Sequence, residues 1–318
     1  MGDEPLLRTA GLRITVRTAR GAAPAVGPVD LAIGRDRITA LLGESGSGKS
    51  LLALALAWLA PPGATLSGSV RLGDVELAGL PERELARIRG RRIGLVLQEP
   101  ETALDPLFTV GFQLREVLLV HHQTPRRQAD ARAAELLRSL GLDRPEAILR
   151  AYPHQLSGGQ RQRIVTALAL LPDPELVVAD EPTASLDPVV RAMVVGHLVR
   201  WRRERRAALL LVTHDTGLAR RLADDVAILY AGEIVESGPA GAVLGRPLHP
   251  YTRFLTGSPG ALTAPELPPP APGAWEPGCR LRPRCAHARP ECATVHPPLT
   301  PVEGRGLRCP PAAKGTVP

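Results

Sequence analysis

The chain has 318 residues, 44% hydrophobic and 22% charged, with a formal net charge of +7. That composition suits one large or two smaller domains with a buried core, and excludes a disordered chain or a disulfide-rich secreted scaffold. The basic balance could suit nucleic acid or an anionic membrane. However, of 39 basic residues only Lys49 and Lys314 are lysine, so arginine is a compositional background, and the stretch Arg200-Trp-Arg-Arg-Glu-Arg-Arg206 reads as a solvated helix face.

The first residues, Met1-Gly-Asp-Glu-Pro, carry no apolar core, so no signal peptide is expected. Gly2 lacks the Ser or Thr four residues on that myristoylation requires, since Leu6 stands there. Ile38–Leu42 reads as a short buried strand. Gly43-Glu-Ser-Gly-Ser-Gly-Lys-Ser50 follows, then an apolar helix over Leu51 to Ala60, ended by Pro61-Pro62 and far too short to span a bilayer. G-x-x-x-x-G-K-S between a strand and a helix is a phosphate-binding loop. Gly43, Gly46 and Gly48 let the backbone turn its N–H groups inward around phosphate oxygens, with Glu44, Ser45 and Ser47 completing the loop. Lys49 supplies a compact ammonium where a planar guanidinium would fit poorly, and Ser50 offers a hydroxyl to Mg²⁺.

Further along, helices are expected over Phe112 to His121 and Arg126 to Leu140, with Ala133, Leu136, Leu137 and Leu140 on one face and Gly141 as a stop. Ser157-Gly158-Gly159 opens onto a helix beginning near Gln160, a second anion-binding element. Leu176–Ala179 is a continuous apolar run typical of a strand buried on both faces, with Asp180-Glu181 at its carboxyl end. Asp180 suits the Mg²⁺ shell, and Glu181 suits polarisation of an attacking water. Leu209–Val212 is another such strand, ending in Thr213-His214-Asp215.

The sequence Leu156-Ser-Gly-Gly-Gln160 resembles the signature motif of ABC-transporter ATP-binding subunits. The order of motifs resembles that family too: the phosphate loop, Gln98-Glu-Pro100, the signature, Asp180-Glu181, Ser185-Leu186-Asp187, then His214. The resemblance implies an α/β P-loop core of RecA-like type, with an antiparallel β subdomain and a helical subdomain inserted over about 100–165. It implies ATP and Mg²⁺ as ligands, with Gln98 at the metal, sensing the γ-phosphate and linking to the membrane subunits, and Ser157, Gly158, Gly159 and Gln160 closing on nucleotide bound to another subunit. Glu181, His214 and Gln98 would then be the catalytic set. One departure stands out. The family usually stacks adenine on an aromatic residue before the phosphate loop, whereas the first aromatic here is Trp58, and Val16 or Arg17 stands near that position.

A narrower resemblance follows from Gly245-Arg-Pro-Leu-His-Pro-Tyr-Thr252, from Gln98 to Pro106 and from Tyr152-Pro-His-Gln155, which look like oligopeptide and dipeptide import ATPases. This implies a peripheral subunit at the cytoplasmic face of the cell membrane. Its partners would be a paralogous second ATPase in a heterodimer, two transmembrane permeases and, indirectly, an extracytoplasmic solute-binding protein, with no nucleic acid. Nickel or another small solute is the alternative cargo; a soluble ATPase acting on nucleic acid is the more distant one.

Composition shifts after Thr256, beyond which lie 15 of the 33 prolines. Three divisions are expected: an ATPase domain over 1–255, a proline-rich linker over 256–277 and a cysteine-rich tail over 278–318. All four cysteines, Cys279, Cys285, Cys292 and Cys309, lie in the tail. Four thiolates suit zinc or an iron–sulfur cluster, and neighbouring arginines could offset a cluster's negative charge. Disulfides are the third option, disfavoured in a reducing compartment. The tail resembles that of peptide-importer ATPases whose cysteines hold a [4Fe–4S] cluster, which implies the same here, with metal supplying folding energy to a segment that has little core.

Overall fold

The computed structural model describes residues 4–309 apart from 20, 99, 184–185, 258–260, 265, 274 and 276, and without the side chains of 100 and 101. The chain divides into two compact units, 1–79 with 211–318, and 80–210.

The first unit begins with β1 (Leu7–Thr18), β2 (Gly21–Val29), β3 (Ala32–Ile33) and β4 (Ile38–Leu42). Along β1, Leu7, Thr9, Leu12 and Ile14 are buried while Arg8, Ala10 and Arg13 face solvent. The alternation slips once, between Ala10 and Arg13, where Gly11 takes a positive φ of 56° and the pairing with β5 shifts register. Helix α1 covers Lys49–Ala55, and β5 (Ala64–Leu72) and β6 (Val75–Glu76) complete an antiparallel sheet ordered β2-β1-β5-β6, with β3 on β1. The apolar run after Ser50 was expected to be helical to Ala60, but α1 stops at Ala55. Beyond it, the N–H groups of Ala57 and Trp58 bond three residues back, and Trp58 turns left-handed at φ 50°.

The second unit starts with α2 (Glu82–Ile88), β7 (Ile93–Val96) and α3 (Pro100–Ala103). The helical insertion follows as α4 (Val110–His122), α5 (Arg126–Ser139), α6 (Pro145–Arg150) and α7 (Gly158–Leu170). Both expected helices are present, each within two residues of its expected ends. Ala133, Leu137 and Leu140 are buried, whereas Leu136 is only half-buried. Gly111 lets α4 approach α6 closely, because a Cβ there would lie 2.6 Å from the Leu149 carbonyl oxygen. Strand β8 (Leu176–Asp180) is buried along its whole length and pairs in parallel with β7. Helix α8 (Pro188–Arg205) is N-capped by Asp187, whose carboxylate accepts from the Val189 and Val190 N–H groups.

Strand β9 (Ala208–Thr213) carries the chain back to the first unit, which continues with α9 (Thr216–Leu222), β10 (Asp225–Tyr230), β11 (Glu233–Pro239), α10 (Ala240–Gly245) and α11 (Pro250–Leu255). Strands β12 (Thr300–Val302) and β13 (Arg305–Leu307) come last. In this unit β4 pairs in parallel with β10, and β10, β11, β13 and β12 continue antiparallel.

The tail, expected to have little core, is built into this unit. Leu262 and Leu281 are buried with Leu42, Ile228, Tyr230, Val243 and Tyr251, and Cys279 and Cys285 pack against the same cluster. Residues within the expected linker also pack. Leu262 bridges to Cys285, and the Trp275 ring lies 3.3 Å from the Arg280 guanidinium carbon. Apolar residues scattered among prolines gain a core by covering β10 and α11, an outcome that depends on neighbours distant in sequence.

Candidate nucleotide site

In the first unit, β4 delivers the chain to the phosphate loop. Gly43 has no room for a side chain, since a Cβ would sit 2.3 Å from the Leu229 carbonyl oxygen. Gly46, at φ 78°, faces open space, and Gly48, at φ 100°, would place a Cβ 2.7 Å from Val26. The loop is thus pressed against β10 and β2 on one side and open at Gly46 on the other. Lys49 is buried, and its Nζ donates to the carbonyl oxygens of Gly43 at 2.9 Å and Glu44 at 2.8 Å. The Ser47 hydroxyl is buried with no hydrogen-bond partner among the described residues. Ser45 and Ser50 are exposed. An open, glycine-lined turn with an ammonium and an orphaned hydroxyl fits a polyphosphate. His214 is exposed on the turn between β9 and α9, beside Asp215, which caps α9 by accepting from the Leu218 N–H. Val16 and Arg17 stand on β1, half-buried and exposed respectively.

In the second unit, Asp180 ends β8 and is buried; Glu181 follows with φ 42°, a left-handed conformation uncommon outside glycine. Gln98 is exposed just beyond β7. The signature segment forms a reciprocal cap on α7. The Ser157 hydroxyl accepts from the Gln160 N–H, and the Gln160 side chain accepts from the Ser157 N–H at 2.9 Å. Gly158, exposed, forms the first turn with Gly159, and a Cβ at Gly158 would meet nothing within 4 Å. Ser185 and Glu99, which the sequence singled out, lie outside the described residues.

Residues 26–184 match the ABC transporter family, and residues 235–292 match the oligopeptide/dipeptide transporter C-terminal region. Across 314 residues the chain is 38% identical to the oligopeptide transport ATP-binding protein AppD of Bacillus subtilis, covering 96% of each.

The chain belongs to the ABC transporter ATP-binding family.

It is also 40% identical over 307 residues to the oligopeptide transport ATP-binding protein OppD of Mycobacterium tuberculosis, covering 94% of this chain and 50% of that longer one. A dimeric ATP-binding cassette solved after hydrolysis, with ADP and Pi bound, shares its fold at a TM-score of 0.67 and 27% identity, over 74% of this chain and 98% of that one. This family member is therefore an ATP-hydrolysing cassette, and no described helix is long and apolar enough to cross a membrane.

The four cysteines line one small cavity of about 20 Å³, with His249 and His287. None forms a disulfide. Burial pushes the Cys279 thiol up to about 12, against the lowering effect of the Leu281 N–H, and burial also raises Cys285. Among the described residues, no group of three or more His, Cys, Asp or Glu side chains is placed to hold a metal ion.

Sequence reasoning missed the residues that back the phosphate loop. Tyr251 stands in the His-Pro-Tyr-Thr segment, and its hydroxyl oxygen accepts from the Glu44 N–H at 2.8 Å. Arg284 forms a two-pronged ion pair with the Glu44 carboxylate. Nothing in the sequence separated Arg284 from the other tail arginines.

Proposed function

We propose that this chain powers the uptake of oligopeptides or dipeptides, coupling ATP binding and hydrolysis to a membrane permease at the cytoplasmic face. The match of residues 235–292 to the oligopeptide/dipeptide transporter C-terminal region carries this reading. In it, Lys49 and the loop N–H groups hold the β- and γ-phosphates, Ser157, Gly158, Gly159 and Gln160 serve the nucleotide of a paralogous partner ATPase, and Glu181 orients the attacking water, with Gln98 and His214 at the γ-phosphate. Ser50, Asp180 and Gln98 would hold Mg²⁺, which neutralises developing phosphate charge when bound. The exposed apolar residues Leu107, Phe108 and Phe112, the two rings stacked at 4.6 Å, support docking of a permease on the helical insertion. The test is uptake of labelled di- and oligopeptides in a strain lacking its own importer, complemented with the whole transporter. Peptide uptake lost in Lys49→Ala supports the reading. Full peptide uptake in that variant, or uptake of nickel but no peptide, refutes it.

For the tail, four cysteines on one cavity fit the donor chemistry of a [4Fe–4S] cluster or zinc. Iron, sulfide and zinc assayed on anaerobically purified chain separate the options. Iron with sulfide supports the cluster, while zinc alone or no metal removes it.

A further inference from the structure

The first unit holds a buried ion pair between the tail and the phosphate loop. The Arg284 Nη1 lies 2.7 Å from Glu44 Oε2, and Nη2 lies 3.0 Å from Oε1, a parallel fork-to-carboxylate arrangement. The Arg284 side chain is 2% exposed and that of Glu44 24%. The guanidinium also stands 5.7 Å from the Tyr230 ring centroid and 5.9 Å from that of Phe254. Burial opposes its charge, but the Glu44 and Tyr230 interactions more than offset this, so its pKa is raised.

Glu44 is clamped at three places. Arg284 holds its carboxylate, Tyr251 takes its N–H, and its carbonyl oxygen accepts from Lys49 Nζ at 2.8 Å. Any movement of Glu44 therefore reaches the residue that meets the phosphates. The pair also has an electrostatic consequence. A Glu44 carboxylate without its guanidinium would leave a bare negative charge at the edge of a loop that must accept a polyanion.

We propose that Arg284 is a positioning residue for nucleotide binding: from the cysteine-bearing tail it fixes and neutralises Glu44, and so makes that tail part of the ATP site. The proposal rests on reading Gly43–Ser50 as the phosphate cradle.

The experiment is calorimetric titration of the full chain with MgATP, with circular dichroism to check folding. Lys49→Ala must weaken binding; if it does not, the cradle reading itself fails, whatever Arg284 does. Arg284→Ala is expected to raise the Kd about tenfold, since small misplacement in a preorganised site is costly. Glu44→Gln in the Arg284→Ala background removes the uncompensated charge and is expected to recover part of the loss. Removing the unpaired carboxylate would also restore stability, so the recovery counts only where the melting temperature shows both variants folded at the titration temperature. Unchanged affinity in a folded Arg284→Ala, or no recovery in the double variant, overturns the proposal. Should Arg284→Ala fail to fold, Arg284→Lys keeps the charge but loses the fork. A Kd raised about threefold supports the proposal, and an unchanged Kd overturns it.

Discussion

Glu181 leaves β8 in a left-handed conformation, φ 42°, next to a buried Asp180. A non-glycine residue held there costs free energy, and such residues cluster at functional sites. Replacing it by glutamine keeps the shape but removes the carboxylate that would orient and polarise water. Steady-state ATP hydrolysis by the assembled transporter should fall by roughly 10²- to 10⁴-fold, with MgATP affinity within about twofold of the parent. Phosphate release and nucleotide titration measure the two quantities. Hydrolysis at the parental rate would remove Glu181 from the catalytic set.

At the scale of elements, two small devices hold functional segments in place. The reciprocal cap at Ser157 and Gln160 starts α7 where the signature glycines lie. Ser157→Ala should cost about 1 kcal/mol of stability, read as a lower midpoint in urea unfolding. In the tail, His296 joins the segment around Gly278 to β11. Its Nδ1 lies 3.0 Å from the Gly278 carbonyl oxygen and its Nε2 lies 3.1 Å from Glu233 Oε2. Two acceptors on one ring favour imidazolium, and the hydrogen bond to Glu233 raises the His296 pKa against burial and the opposing charge of Arg280. Arg308, beside Glu233, also faces the ring. Because the folded pKa lies above the ordinary 6.5, the stabilisation is fully present below pH 6.5 and is lost as pH rises through the folded value. His296→Gln should therefore lower the melting temperature more at pH 6 than at pH 8.5. An equal drop at both would show that the proton plays no part.

For the whole molecule, the consequence concerns the tail. Leu262, Leu281 and Leu307 are buried in the first unit, and β13 pairs with β11. Burying three such side chains contributes on the order of 5 kcal/mol. A chain ended after residue 257 should consequently unfold at distinctly lower temperature, and weaker MgATP binding should accompany the loss of Arg284. An unshifted melting curve would show the tail to be an independent appendage.

The sequence by itself determined the local chemistry. The strand Ile38–Leu42, the glycine turn after it, the helix start at Ser157–Gln160 and the buried strand ending at Asp180 were legible because each needs particular residue types at a particular spacing, and two lysines against 37 arginines made Lys49 conspicuous. The helices of the insertion were legible because their apolar residues recur at helical spacing. Helix α1 was overread, because an apolar run shows where burial continues but not where the backbone turns. Only the tertiary structure decided where the tail packs. Proline and arginine carry no periodicity, so neither the burial of Leu281 nor the choice of Arg284 to meet Glu44, 240 positions away, could be read in advance. Such an ion pair forms only after packing has brought its partners together and excluded water.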